Sequence, residues 1–209
     1  MSQSIAPHSI AFATRVPWKI LLVVLAGMLL SGCGVNAIPT YEEQATAAWG
    51  QVENQYQRRA DLIPNLVETV KGYAAHEREV LEAVVQARAQ ATRMQLPPDI
   101  LTDPAAFERF QQIQAELGGA LARLLAVVEN YPDLKANQTF LALQSQLEGT
   151  ENRISVARRD YIEAVRLYNT ELKTFPGVIW KAVLYSDRQP MQQFSIAEGA
   201  KEVPQVNFN

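Results

Sequence analysis

The chain has 209 residues, 48% of them apolar, and a formal net charge of −3 at pH 7. That length holds one domain with a sizeable core and excludes two large ones, and the acidic balance gives no general basis for binding nucleic acid. A single cysteine, Cys33, excludes an internal disulfide.

The first element is a targeting segment. Arg15 and Lys19 introduce an unbroken run of eleven apolar or small residues, Ile20 to Leu30, and Leu30-Ser31-Gly32-Cys33 follows at once. A bilayer span needs about 20 apolar residues, so the run fits the apolar region of a signal peptide. The alternative, an uncleaved anchor running on through Val35 and Ile38, would have to include Gly32, Gly34 and Asn36, which is poor composition for a span. The ending resembles the lipobox of bacterial lipoproteins, which implies thioether lipidation of Cys33 and cleavage after Gly32. Cleavage would remove two cations and no acidic residue. The expected organisation is a signal peptide over 1–32, a lipidated tether over 33–39, a helical domain over 40–175, and a short amphipathic segment with a tail over 176–209. Gly34 is no acidic retention signal, so the lipoprotein resemblance implies a membrane-anchored domain on the periplasmic face, at the outer membrane if the source is Gram-negative.

Beyond the tether the recurrent residues are Ala, Leu, Glu, Gln and Arg, the composition of an all-α fold. Pro39-Thr40 reads as a helix entry with Glu42 and Glu43 in the first turn, where they complement the helix dipole. Tyr41, Ala45, Ala48 or Trp49, Val52 and Tyr56 give one apolar face as far as about Arg59. Pro64 cannot donate to the helical ladder and disfavours helical geometry at Ile63, which predicts a corner between two helices. The apolar spacing through Ile63, Leu66, Val70, Tyr73, Leu81 and Val84 keeps its phase, which predicts one kinked helix instead. The helix beyond Pro64 runs to about Arg93, where Gln95-Leu96-Pro97-Pro98-Asp99 ends it.

Asp103 is a good N-cap and Pro104 a good first helical residue. Phe107, Phe110, Ile113, Leu117, Leu121, Leu124 and Val128 form the next seam, and Gly118-Gly119 within it suit the close approach of a neighbouring helix. Tyr131-Pro132-Asp133 breaks the chain again, and Asn137 caps the longest helix, which runs to Phe175. Its seam is Phe140, Leu143, Leu147, Thr150, Ile154, Ala157, Tyr161, Val165, Tyr168, Leu172 and Phe175, at alternating steps of three and four. Phe175-Pro176-Gly177 is a stop, and Val178 to Tyr185 is long enough for two turns. The tail, with Phe194, Ile196, Val203, Val206 and Phe208, either lies extended on the helices or stays loose.

Several stretches then resemble the LemA family. They are Arg58-Arg59-Ala60-Asp61-Leu62-Ile63-Pro64-Asn65-Leu66-Val67-Glu68 continuing to His76-Glu77, Tyr131-Pro132-Asp133-Leu134-Lys135-Ala136-Asn137, and Glu148-Gly149-Thr150-Glu151-Asn152-Arg153-Ile154 with Tyr168-Asn169, followed by Phe175-Pro176 and Glu198-Gly199-Ala200. The resemblance covers nearly all of 40–209. It implies an antiparallel up-and-down bundle of four long helices with a short C-terminal helix and an extended tail, which inclines Pro64 towards a corner. It brings an association with membranes and envelope processes but no established reaction. Many relatives keep an uncleaved N-terminal membrane helix where this chain has a lipobox, so compartment and orientation do not transfer.

No nucleophile elbow, phosphate loop or dinucleotide fingerprint is present. His76-Glu77-Arg78-Glu79-Val80 begins like a zinc-protease helix but has Val80 where the second histidine must stand. With His76 the one histidine outside the signal segment, paired Glu-x-x-His motifs on two helices are excluded too. No catalytic residue, metal or cofactor is expected, and His76 reads as an exposed helical residue near Glu77 and Glu79. The charged residues around Pro64 and on the long helix allow two readings. One is a solvated face laced with pairs such as Glu151 and Arg158. The other is a polar interhelical cluster drawn from Arg58, Arg59, Asp61, Asn65, Glu148, Glu151, Asn152 and Arg158, with Gly149 admitting a close backbone contact. Ile179, Trp180, Leu184 and Tyr185 are the candidate apolar contact for a partner or a membrane. The function expected is that of a membrane-tethered, non-enzymatic module that binds another envelope protein or its own copies. The alternatives are an enzyme or accessory subunit acting on envelope or lipid material through Arg58, Asp61, Glu151 and Arg158, and a membrane-remodelling coat.

Overall fold

A computed structural model describes residues 34–195 together with Trp18. Cys33, the rest of the signal segment, and the tail positions Ile196, Val203, Val206 and Phe208 lie outside the described residues. The chain divides into two units, Met1–Val35 and Asn36–Asn209, and the second is all-helical, with no strand among the described residues. Its helices are α1 (Ala37–Lys71), α2 (Arg78–Arg93), α3 (Pro104–Val128), the single turn α4 (Pro132–Lys135), α5 (Gln138–Glu171) and α6 (Gly177–Val183).

α1 is one unbroken helix of 35 residues that passes through Pro64. Of the two readings of Pro64, the continuous helix is the one observed; the corner lies instead at 72–77, where the single helix expected from Pro64 to Arg93 is interrupted. A mid-helix proline leaves the carbonyl four residues earlier without its donor. Here that carbonyl belongs to Ala60, and Arg88 of α2 fills the gap, its Nε donating to Ala60 O at 2.8 Å. The chain turns after Gly72, so Tyr73 leaves the apolar seam and is exposed. α1 also starts earlier than Pro39-Thr40, with Asn36 at its N-cap. Pro39 falls in the first turn, where an absent N–H removes no helical bond, and Glu42 and Glu43 fall one turn further in.

The other boundaries follow local chemistry. The Asp103 carboxylate accepts from the Ala105 and Ala106 amides at 2.9 and 3.3 Å, and the Asn137 side chain accepts from Phe140 N at 3.0 Å. Every seam position of α5 from Phe140 to Tyr168 is buried, and so is Leu172 just beyond its end. Phe175 is not: α5 ends at Glu171, helical spacing no longer places the ring inward, and it is 80% exposed. Gly177 is a glycine for a steric reason, since a Cβ there would lie 2.1 Å from the Glu171 carbonyl oxygen. Gly118 and Gly119 have no such reason. A Cβ on Gly118 would meet only Arg59 Nη1 at 3.9 Å, and one on Gly119 would meet nothing within 4 Å, so the close helix approach expected at this pair does not occur.

α1 and α5 run side by side in opposite directions. Trp49 packs on Tyr161 with ring centroids 5.3 Å apart, Arg59 pairs with Glu151 at 3.0 Å, and Tyr73 accepts from Asn137 Nδ2 at 2.9 Å. α2 packs against α3 and α1. Two apolar clusters result. A distal cluster joins Ile63, Val70, Leu81, Val84, Leu117, Leu124, Leu134, Phe140 and Leu147. A proximal cluster, at the end where α1 begins, joins Ile38, Trp49, Tyr56, Phe107, Phe110, Tyr161, Tyr168 and Leu172 with Met191 and Phe194 of the tail. The tail is extended along the helices as far as it is described. Asn169 donates to Met191 O at 2.8 Å and accepts from Met191 N at 2.9 Å, Tyr161 donates to Gln192 O at 2.8 Å, and Gln192 N donates to Leu101 O at 2.7 Å.

Candidate functional site

Between the two apolar clusters lies a polar layer. Arg59 of α1, Gln114 of α3 and Thr150 of α5 are the buried polar side chains among the described residues, and all three lie at this level of the bundle. Arg59 is 4% exposed; Glu151 of α5 balances its charge and Gln114 of α3 accepts further hydrogen bonds, while its Nε finds no partner among the described residues. Nη1 donates to Glu151 Oε1 at 3.0 Å, and Nη2 donates to Gln114 Oε1 at 2.6 Å and to Gln114 O at 3.1 Å. The guanidinium carbon stands 5.0 Å from the centre of the Tyr56 ring, within cation–π range. Thr150 returns its hydroxyl proton to Gln146 O at 2.8 Å and accepts from Arg153 Nη2 at 3.1 Å. Burying a guanidinium is costly unless its donors are matched. That need ties α1, α3 and α5 to one level.

Beside this layer a groove of about 680 Å³ opens between α3 and α5. Its walls include Tyr56, Gln114, Ile154, Arg158, Ile162 and Phe194. Arg158 lies over the Phe194 ring, 4.3 Å from guanidinium carbon to ring centre. Burial raises the pKa of the Tyr56 phenol, while Arg158 and Arg59 beside it pull in the opposite direction. The groove therefore presents a guanidinium stacked on an aromatic floor, with a neutral phenol and an amide behind it.

Of the eight residues expected to cluster, the structure brings Arg59 and Glu151 into contact and places Arg158 in the adjoining groove. Arg58, Asp61, Asn65, Glu148 and Asn152 are exposed. Each helical step turns the side chain by about 100°, so the buried face that holds Arg59 carries Arg58 and Asp61 away from it. Asp61 accepts from Gln57 at 2.8 Å and Glu148 from Gln144 at 3.0 Å, both along their own helices. Glu151 does not bond Arg158, and Gly149 lies against Arg153 rather than a neighbouring backbone. Gln114 and Phe194 are the members that sequence reasoning missed. A polar Gln114 inside the α3 seam, one step from Ile113, was the available signal.

His76 is exposed, but in the turn after α1 rather than on a helix. Tyr131 donates to Glu77 Oε1 at 2.7 Å and lies 2.6 Å from His76 Nε2. Its phenol is raised by the hydrogen bond to Glu77 and by partial burial. Among the described residues no group of three His, Cys, Asp or Glu is placed to hold a metal ion.

The candidate apolar contact splits in two. Ile179 and Leu184 are exposed, whereas Trp180 and Tyr185 turn inward and pack on the proximal cluster. Phe175, Val178 and Val183 join the exposed set. Among the described residues no helix is long and apolar enough to cross a membrane.

The LemA family model matches residues 48–208. Magnetosome protein MamQ 2 of Paramagnetospirillum magneticum is 28% identical over 157 residues, covering 68% of this chain and 58% of the relative. Magnetosome protein MamQ of Magnetospirillum gryphiswaldense is 27% identical over the same length and shares. Protein LemA of Metamycoplasma hominis is 25% identical over 140 residues, covering 67% and 60%. The chain thus spans less than two thirds of the length of each of these curated relatives.

Proposed function

The chain belongs to the LemA family, and from that premise we propose that it is a lipid-anchored envelope protein acting as a non-enzymatic binding module. Its four long helices form an antiparallel up-and-down bundle, a reading supported by the opposed contacts of α1 with α5. Cys33 carries the lipid. α1 begins four residues later, so the bundle stands directly on the membrane surface, facing the periplasm and at the outer membrane in a Gram-negative cell.

The observation that carries the binding role is the groove beside the polar layer. Arg158 over Phe194, with apolar Ile154 and Ile162 alongside, is a surface suited to a protein side chain and is braced from behind by Arg59, which bonds Glu151 and Gln114. Arginine and aromatic residues of this kind are over-represented among residues that dominate binding energy. The occupant is another envelope protein or a second copy of the chain. In-cell crosslinking followed by mass spectrometry tests this. Crosslinks to a recurrent partner that disappear in Arg158→Glu support the proposal, and a chain that stays alone under crosslinking contradicts it. Replacement of Cys33 by Ser should leave an unprocessed or soluble chain. A normally processed, membrane-bound Cys33→Ser product contradicts the anchor.

A further inference from the structure

Five of the ten large apolar side chains exposed among the described residues fall within ten consecutive positions, Phe175, Val178, Ile179, Val183 and Leu184, with exposures from 44% to 80%. The others at the bundle surface, Tyr73, Val85, Leu141 and Val156, stand singly. Single exposed apolar residues need no explanation, while a contiguous group marks a contact surface. Within this stretch Trp180 and Tyr185 pack into the proximal cluster, while the five residues of the group stay exposed.

The position of the group selects its occupant. Arg188, just past α6, pairs with Glu42 of α1 at 2.9 Å, and Ile38, Leu172, Trp180 and Tyr185 share one apolar cluster. The patch and the start of α1 are therefore at the same end of the bundle. From Cys33 to Ala37 the backbone reaches at most about 14 Å, so a lipid on Cys33 keeps that end at the bilayer. Lys173 and Lys181 accompany the patch with no carboxylate within salt-bridge distance among the described residues; of the carboxylates nearby, Glu42 and Asp187 are taken by Arg188, and Glu171 lies against Gly177.

We infer that Phe175, Val178, Ile179, Val183 and Leu184 lie in the interfacial layer of the same bilayer that holds Cys33, giving the bundle a second, non-covalent membrane contact. This rests on the lipid anchor. The contact adds a second point of attachment to the short tether at Cys33, which fixes the tilt of the bundle and the height of the groove above the lipid. A short segment of exposed apolar residues with cations beside it is a composition that lies in a membrane interface.

The test uses the full processed chain in vesicles of phosphatidylethanolamine and phosphatidylglycerol, with an environment-sensitive thiol dye on Val183→Cys or, as a distal control, on Leu141→Cys. Both positions are exposed, so neither substitution disturbs the core. Residue 141 lies about 45 Å along α5 from its membrane end. A lipidated Cys33 takes no dye, so one label per chain reports the anchor separately. With one label, the dye at 183 should lose about half or more of its emission to phospholipids carrying a shallow nitroxide, and the dye at 141 should lose almost none. One label with emission at 183 as unaffected as at 141 overturns the inference and leaves the anchor standing. A blue-shifted dye at 183 that nitroxide lipids do not quench overturns it in favour of a protein cover. Two labels per chain expose a free Cys33 and overturn both.

Discussion

The distal cluster is aliphatic, Phe140 being its one fully enclosed ring, and it is assembled from neighbouring turns of the helices themselves. On the other side of the Arg59 layer the proximal cluster is built on Trp49, Tyr56, Phe107, Phe110, Tyr161, Tyr168 and Phe194, and it is closed by a tail that arrives after the last helix. Trp49 alone lies within 6.1 Å, ring to ring, of Phe107, Phe110, Tyr161 and Phe194. The comparison separates two ways of finishing a helical core. Aliphatic side chains at helical spacing complete the distal half, while the proximal half is filled by large rings and an added strap. The same end carries the exposed apolar group and the start of α1.

The comparison breaks most readily at its largest rings. Trp49→Ala should cost about 3–5 kcal/mol and Phe194→Ala about 3 kcal/mol, because each removes a ring from a shared aromatic contact set. Amide exchange should then rise in residues 38–56 and 154–172 before it rises in 63–70 and 117–128. Equal loosening of both halves would mean that they are one cooperative core.

Alkaline pH should distinguish the halves next. Burial holds the Tyr56 and Tyr161 phenols above their usual range and pushes Tyr168 up to about 12. Their ionisation is therefore easier in the unfolded chain, so the stability they give is intact below about pH 10 and falls as pH rises towards the folded values. The urea midpoint should drop between pH 10 and 12, with the proximal half opening first.

A smaller effect is expected at the layer between them. Arg59→Ala should cost about 1–3 kcal/mol, chiefly by leaving Gln114 buried without its partner, whereas Arg59→Met combined with Gln114→Leu, which removes both partners, should recover most of that loss. Since the Glu151 side chain is 46% exposed, its coupling to Arg59 in a double-mutant cycle should stay near 1 kcal/mol or below. The smallest change is Arg88→Ala, at about 1 kcal/mol for the uncovered Ala60 carbonyl. In a Pro64→Ala background that cost should vanish, because residue 64 then supplies the missing amide. Persistence of the full cost there would refute the account of how α1 crosses Pro64.

Much of this architecture is written locally. The α5 seam, the Asn137 cap and the Asp103-Pro104 entry depend on spacing and on side chains within three residues, so the sequence displays them. The passage through Pro64 does not, because its remedy is an arginine from another helix. Arg59 was legible as a candidate, but a run of Arg58, Arg59 and Asp61 gives no sign of which cation is inward until the helix phase is known. Phe194 was visible only as an isolated ring, since its burial depends on Asn169 holding the tail at Met191. The exposure of Ile179 and Leu184 against the burial of Trp180 and Tyr185 likewise required the orientation of α6.

Which half faces the membrane rests on Cys33. The most direct measurement is the intact mass of the full-length protein extracted from the membranes of its own cells. The account predicts a chain that starts at Cys33 and carries the added mass of thioether-linked lipid. An unmodified chain that retains residues 1–32 would contradict it.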